Sequence, residues 1–120
     1  PYIDEIIRER KAICEQYTEA FTGTEIQTLR IRADTVWNGA YYPIVLPDHQ
    51  KLKKVEAALK ENDILPRRYF APSLEKLPYI DQNTCPIATD VSERVLCLPL
   101  YVGLKGNQVQ RITEIILGNE

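Results

Sequence analysis

Apolar positions from Tyr2 to Phe21 recur at helical intervals (Ile3, Ile6, Ile7, Ile13, Cys14, Tyr17, Ala20 and Phe21), with Asp4 and Glu5 in the first turn, where the helix dipole favours acids. The pattern predicts a long amphipathic helix. Thr22-Gly23-Thr24 ends it, since glycine accepts the left-handed conformation that closes a helix. Arg10 falls inside the apolar stripe and must snorkel or meet a carboxylate from elsewhere; snorkelling is the favoured reading. Further on, Thr28–Arg32 alternates with period two and Ala40–Leu46 is rich in branched and aromatic residues, so both read as strands. Asn38-Gly39 between them is a two-residue hairpin signal, while Pro43 pushes the second strand towards an edge or a bulge.

Asp48 is a good N-cap for a second helix that buries Leu52, Val55 and Leu59 and ends near Glu61-Asn62. Ile64–Phe70 reads as a short strand, and Pro72, Pro78 and Pro86 mark an irregular stretch beyond it. Pro86–Glu93 is predicted as a short helix, Val95–Tyr101 as an apolar strand, and 107–117 as a last helix with Val109, Ile112, Ile115 and Ile116 inward, ended by Gly118-Asn119. Strands bunched between helices give an α+β class: a small, mainly antiparallel sheet with helices packed on one face.

Length and composition narrow the class further. With 120 residues, 44% apolar and 27% charged, the chain suits one globular domain and excludes disordered or collagen-like architectures. No apolar run approaches the roughly 20 residues of a membrane span, so no membrane partner is expected. A net charge of −2 offers no global field for nucleic acid, and Lys51, Lys53, Lys54 and Lys60 are offset by Glu56 and Glu61, so that helix face reads as solvated. The odd number of cysteines, Cys14, Cys85 and Cys97, fits reduced thiols in a cytoplasmic protein. The absence of methionine and the opening at Pro1 suggest a fragment of a longer protein.

Candidate chemistry is sparse. His49 is the only histidine and the cysteines lack zinc spacing, so no metal site is expected; His49 beside Asp48 reads as a capping-turn surface residue rather than the base of a cysteine nucleophile. The scattered glycines form no phosphate loop. What stands out is Arg67-Arg68-Tyr69-Phe70-Ala71-Pro72-Ser73-Leu74. Adjacent arginines beside an aromatic pair and a proline turn could recognise phosphate or carboxylate, although alternation lets only one arginine face a given side. Asn38 with Tyr41 and Tyr42 forms a second polar and aromatic cluster, equally explicable as a turn plus packing.

That string, together with Cys85-Pro86-Ile87-Ala88, Ser92–Tyr101, Asn38–Ile44 and the Arg8–Lys11 stretch, resembles the C-terminal small domain of the DegT/DnrJ/EryC1/StrS aminotransferases over nearly the whole chain. The resemblance implies that residues 1–120 are one small domain of a fold type I enzyme, with 1–22 a long linking helix and 23–120 an α+β core. It implies that the pyridoxal phosphate (PLP) domain lies outside these residues. The parent would be a PLP-dependent aminotransferase, a homodimer, moving an amino group from a donor such as glutamate to a nucleotide-linked keto-sugar. The fragment alone would hold no PLP and be inactive, because Lys11, Lys51, Lys53, Lys54, Lys60, Lys76 and Lys105 lack the family's cofactor-lysine context, and no catalytic residue is assigned here. The implied substrate-binding residues at the active-site rim are Tyr69, Arg68 and Asn38. The resemblance also makes Asn38-Gly39 a lead-in to the following strand instead of a hairpin turn. From the residues alone, the alternative is a free-standing α+β ligand-binding or interaction module without catalysis.

Overall fold

A computed structural model describes residues 2–69, 73–78 and 85–119, and places helix α1 at Ile3–Phe21, strand β1 at Gln27–Thr28, β2 at Pro43–Val45, α2 at His49–Glu61, a single 3-10 turn at Leu74–Lys76, α3 at Pro86–Arg94, β3 at Val95–Cys97 and α4 at Gly106–Asn119. Helix α1 turns Ile13, Cys14, Tyr17 and Phe21 into the core and closes at Thr22, with Gly23 at φ +79°. The Asp48 side chain accepts from the Lys51 amide at 2.8 Å, capping α2 as its sequence demands. Leu52, Val55 and Leu59 are the stripe that α2 buries, against α4 in particular.

The three strands form an antiparallel sheet in the order β1-β2-β3. Tyr42, Ile44, Leu46, Leu96 and Leu98 point from it into a core shared with α1, α2 and α4. Ile44, Leu46 and Leu96 are wholly inaccessible; such burial stabilises by about 1.5–3 kcal/mol per large aliphatic side chain. The opposite, odd-numbered face carries Pro43, Val45 and Val95, and α3 borders it through Ala88, Val91 and Ser92. The expected α+β class is therefore observed, with α3 set apart from the three core-forming helices.

The strand expectations change in detail. Gln27 pairs with Val45 and Thr28 with Ile44, so 14 residues by the register itself, 29–42, separate the paired strands, and Asn38-Gly39 is not a hairpin turn but a lead-in to β2. Pro43 sits in the central strand, not at an edge. The Leu98 amide donates to the Tyr42 carbonyl and the Leu46 amide to the Arg94 carbonyl, so even-numbered residues of β2 bond to β3 and odd-numbered ones face β1. Pro43 opens the strand with its missing N–H on the β1 side, where the ladder has already stopped at Thr28↔Ile44. The same defect shortens β1, since extending the ladder to residue 29 would need the amide that Pro43 lacks. Likewise the predicted 95–101 strand ends at Cys97, two residues before Pro99. Among the described residues, the predicted strand at 64–70 reduces to one antiparallel bridge, in which Arg67 and Cys97 exchange amide-to-carbonyl bonds of 3.0 and 2.8 Å. Phe70, Ala71 and Pro72, the middle of the aromatic–proline motif, lie outside the described residues.

Candidate functional site

The odd face of the sheet floors a cavity of about 670 Å³, bounded by Pro43, Val45 and Val95 below, Leu29 and Arg30 beyond β1, Leu74 and the α3 residues Ala88, Val91 and Ser92 at the sides, and Tyr69 at the rim. Its lining is mostly apolar with a few polar groups, the usual make-up of a small-molecule site. Tyr69 is 55% exposed and meets Tyr41 edge to face, ring centroids 5.6 Å apart and planes at 69°. The Arg67 guanidinium lies 6.0 Å from the Tyr69 ring centroid.

The three residues singled out in the sequence do not converge. Tyr69 lines the cavity, while Arg68 and Asn38 do not. Arg68 is half-buried and donates from Nη2 to the Ser92 carbonyl at 2.8 Å; its Nε is buried with no partner among the described residues. Ser92 in turn donates from Oγ to the Thr89 carbonyl at 2.8 Å, so Arg68 braces the C-terminal turn of α3. Asn38 accepts the Ala40 amide at Oδ1, 3.1 Å away, in a tight turn that contains Gly39 at φ +64°. A Cβ at Gly39 would stand 3.3 Å from the Arg10 Cβ, so the lead-in to β2 rides on the stem of Arg10. That contact covers the one charge in the apolar stripe of α1, and Arg10 Nε is buried without a partner among the described residues.

Sequence reasoning missed Tyr41 as the ring against Tyr69, and Ser92 as the partner of Arg68. Period-two alternation, which puts residues 67 and 69 on one side, was the available signal for the Arg67–Tyr69 pair; nothing in the sequence announces contacts across more than 20 residues.

The remaining cysteines and potential metal ligands among the described residues stand apart from one another, with no group of three or more that could hold a metal ion. Cys14 is buried at a second cavity, about 730 Å³, between α1 and the segment 31–37, and burial pushes its thiol up to about 11, which keeps it protonated and inert. Burial also raises Cys97. The His49 ring meets the Glu93 carbonyl through Nδ1 at 2.8 Å, joining α2 to α3 rather than facing a thiol. No helix is long and apolar enough to cross a membrane among the described residues.

The model of the DegT/DnrJ/EryC1/StrS aminotransferase family matches residues 1–117. The chain is 33% identical to the dTDP-4-amino-4,6-dideoxy-D-glucose transaminase of Escherichia coli across 98% of its own length and 34% of that protein, so it spans about a third of this curated relative. Among solved structures, the aminotransferase TlmJ from Streptoalloteichus hindustanus superposes with a TM-score of 0.89 at 20% identity, over 98% of this chain and 32% of that one. A DegT DnrJ EryC1 StrS aminotransferase from Brucella abortus gives 0.83 at 19% identity, over 98% and 32%. These two likenesses carry the fold.

The matched family is PLP-dependent, but the described residues do not build a PLP site. Such chemistry uses a lysine held in an enclosed, dry pocket. Here Lys53, Lys54, Lys76 and Lys105 are exposed, Lys51 and Lys60 pair with Glu25 and Glu56 at 3.3 and 3.1 Å, and Lys11 sits half-buried on α1, beside the second cavity and away from the sheet face.

Proposed function

Because the chain belongs to the DegT/DnrJ/EryC1/StrS aminotransferase family, we propose that it is the C-terminal small domain of a PLP-dependent aminotransferase that moves an amino group from an amino acid such as glutamate to a nucleotide-linked keto-sugar. The observation that carries this reading is the 33% identity, across nearly all of this chain, to an enzyme named for a dTDP-linked amino sugar. The longer protein holds PLP on residues outside this chain and works as a cytoplasmic homodimer. The 120 residues alone are inactive, since their lysines are solvated, paired or away from the cavity.

Within that enzyme the small domain covers the reacting sugar. The apolar floor of Pro43, Val45 and Val95 excludes water from one side of the sugar. Tyr69 stands at the mouth with its ring fixed against Tyr41, so its hydroxyl can donate to, or accept from, a sugar hydroxyl. Arg68 and Asn38 act from behind the rim: Arg68 holds α3 through the Ser92 carbonyl, and Asn38 shapes the turn that delivers Tyr41 to Tyr69.

The test is Tyr69→Ala in the full-length enzyme. Turnover with the sugar falls while PLP binding and the half-reaction with the amino donor stay intact. Wild-type sugar kinetics would remove Tyr69 from the site.

A further inference from the structure

The paired arginines at 67 and 68 are chemically alike, yet the fold gives them different work. Arg68 is half-buried and spends Nη2 on the Ser92 carbonyl. Arg67 is exposed, and its backbone is clamped to Cys97 by two hydrogen bonds of 3.0 and 2.8 Å. Directly paired residues in an antiparallel ladder put their side chains on one face, and alternate residues share it, so Arg67 and Tyr69 belong with Cys97 on the face that floors the cavity. A guanidinium near an aromatic ring is held by the ring while its N–H edges stay free to take an oxyanion in bidentate fashion. Across the cavity, Arg30 lines the rim beyond β1. Among the described residues no carboxylate pairs with Arg67 or Arg30, whereas Lys51, Lys60 and Arg94 all have acidic partners. Arg30, at the cavity rim, and Arg67, beside the rim residue Tyr69, are thus both exposed.

We propose that Arg67, not Arg68, contacts the phosphate groups of the nucleotide-linked substrate, with the Tyr69 ring setting its position. The proposal rests on the aminotransferase reading and sharpens it: one side of the rim handles the sugar through Tyr69 and the diphosphate through Arg67. An amino donor also carries an oxyanion, its carboxylate, so the test must separate the two.

The experiment is steady-state kinetics of the full-length, PLP-loaded enzyme and its Arg67→Gln and Arg67→Lys variants, varying a dTDP-linked keto-sugar and glutamate separately, with dTDP as inhibitor. Arg67 is exposed, so thermal melts of the variants should overlay the wild type. Loss of a charge-assisted contact predicts that R67Q raises KM for the sugar nucleotide roughly tenfold to a hundredfold, weakens dTDP inhibition in proportion, and leaves KM for glutamate unchanged. R67K recovers part of the loss, since it keeps the charge without the fork. Unchanged sugar KM and dTDP inhibition in R67Q would overturn the proposal while ongoing amino transfer left the functional reading standing. A rise confined to KM for glutamate would overturn it in favour of the donor carboxylate. A wild-type enzyme that aminates no nucleotide-linked keto-sugar would remove the functional reading itself, and this proposal with it.

Discussion

Tyr17, in the middle of α1, donates its hydroxyl to the Pro99 carbonyl at 2.8 Å, tying the first helix to the segment just beyond β3. The Tyr17 ring is wholly buried and stacks on Tyr42 with centroids 5.0 Å apart. Hydroxyl and ring therefore do separable jobs. Tyr17→Phe should cost about 1 kcal/mol, the worth of one hydrogen bond plus a carbonyl left to find water. Tyr17→Ala should cost about 3–5 kcal/mol, because it also empties a large core volume. Urea denaturation of the chain measures both, and equal losses would mean that the bond, not the packing, holds α1 in place.

The alkaline limb of stability should carry the mark of Cys14. Its thiol keeps its proton in the folded state up to about pH 11, whereas the unfolded thiol loses it near its usual 9.0. Between those values the unfolded state binds fewer protons, so stability that is fully present below pH 9 declines as pH rises towards 11. Burial also raises Tyr17 and Tyr42, which extends the decline above pH 10. Urea midpoints at pH 8 and pH 10 should therefore differ less in Cys14→Ala than in the wild type. In the same native protein at neutral pH, iodoacetamide should modify exposed Cys85 quickly and buried Cys14 and Cys97 only after unfolding.

Gly39→Ala tests the turn into β2. The position has φ +64°, and the added methyl carbon would press on the Arg10 Cβ at 3.3 Å. Left-handed backbone and crowding act together, so a loss of at least about 1 kcal/mol is expected in a thermal or urea melt. Gly23→Ala shares the positive φ, +79°, but meets nothing within 4 Å, and should cost less.

Removing the cap of α2 isolates a purely local term. Asp48→Ala frees the Lys51 amide and should cost about 1 kcal/mol, while Asp48→Asn should retain most of it, in the same denaturation assay.

The helices were legible because their information is local. Asp48 three residues before Lys51, and Leu52, Val55 and Leu59 at helical spacing, identify α2 without any tertiary knowledge. The strands were not, because their lengths depend on partners. Thr28–Arg32 alternates like a strand, yet pairing stops at Thr28 where Pro43 would have had to donate. Asn38-Gly39 carries a hairpin signature, but its turn serves α1 and β2. For the candidate site, alternation announced that only one of Arg67 and Arg68 could face a given side, whereas the group that holds Arg68, the Ser92 carbonyl, lies 24 residues away.

If these residues are the substrate-covering part of a PLP-dependent sugar aminotransferase, they do no chemistry by themselves. This is checked by incubating the isolated 120-residue chain and the full-length protein separately with PLP, glutamate and a dTDP-linked keto-sugar, and following amino-sugar nucleotide by mass spectrometry. Product and 2-oxoglutarate should then form in equal amounts with the full-length protein, and neither with the chain alone. Product from the isolated chain, or no amino transfer by the full-length protein to any nucleotide-linked keto-sugar, would refute this reading.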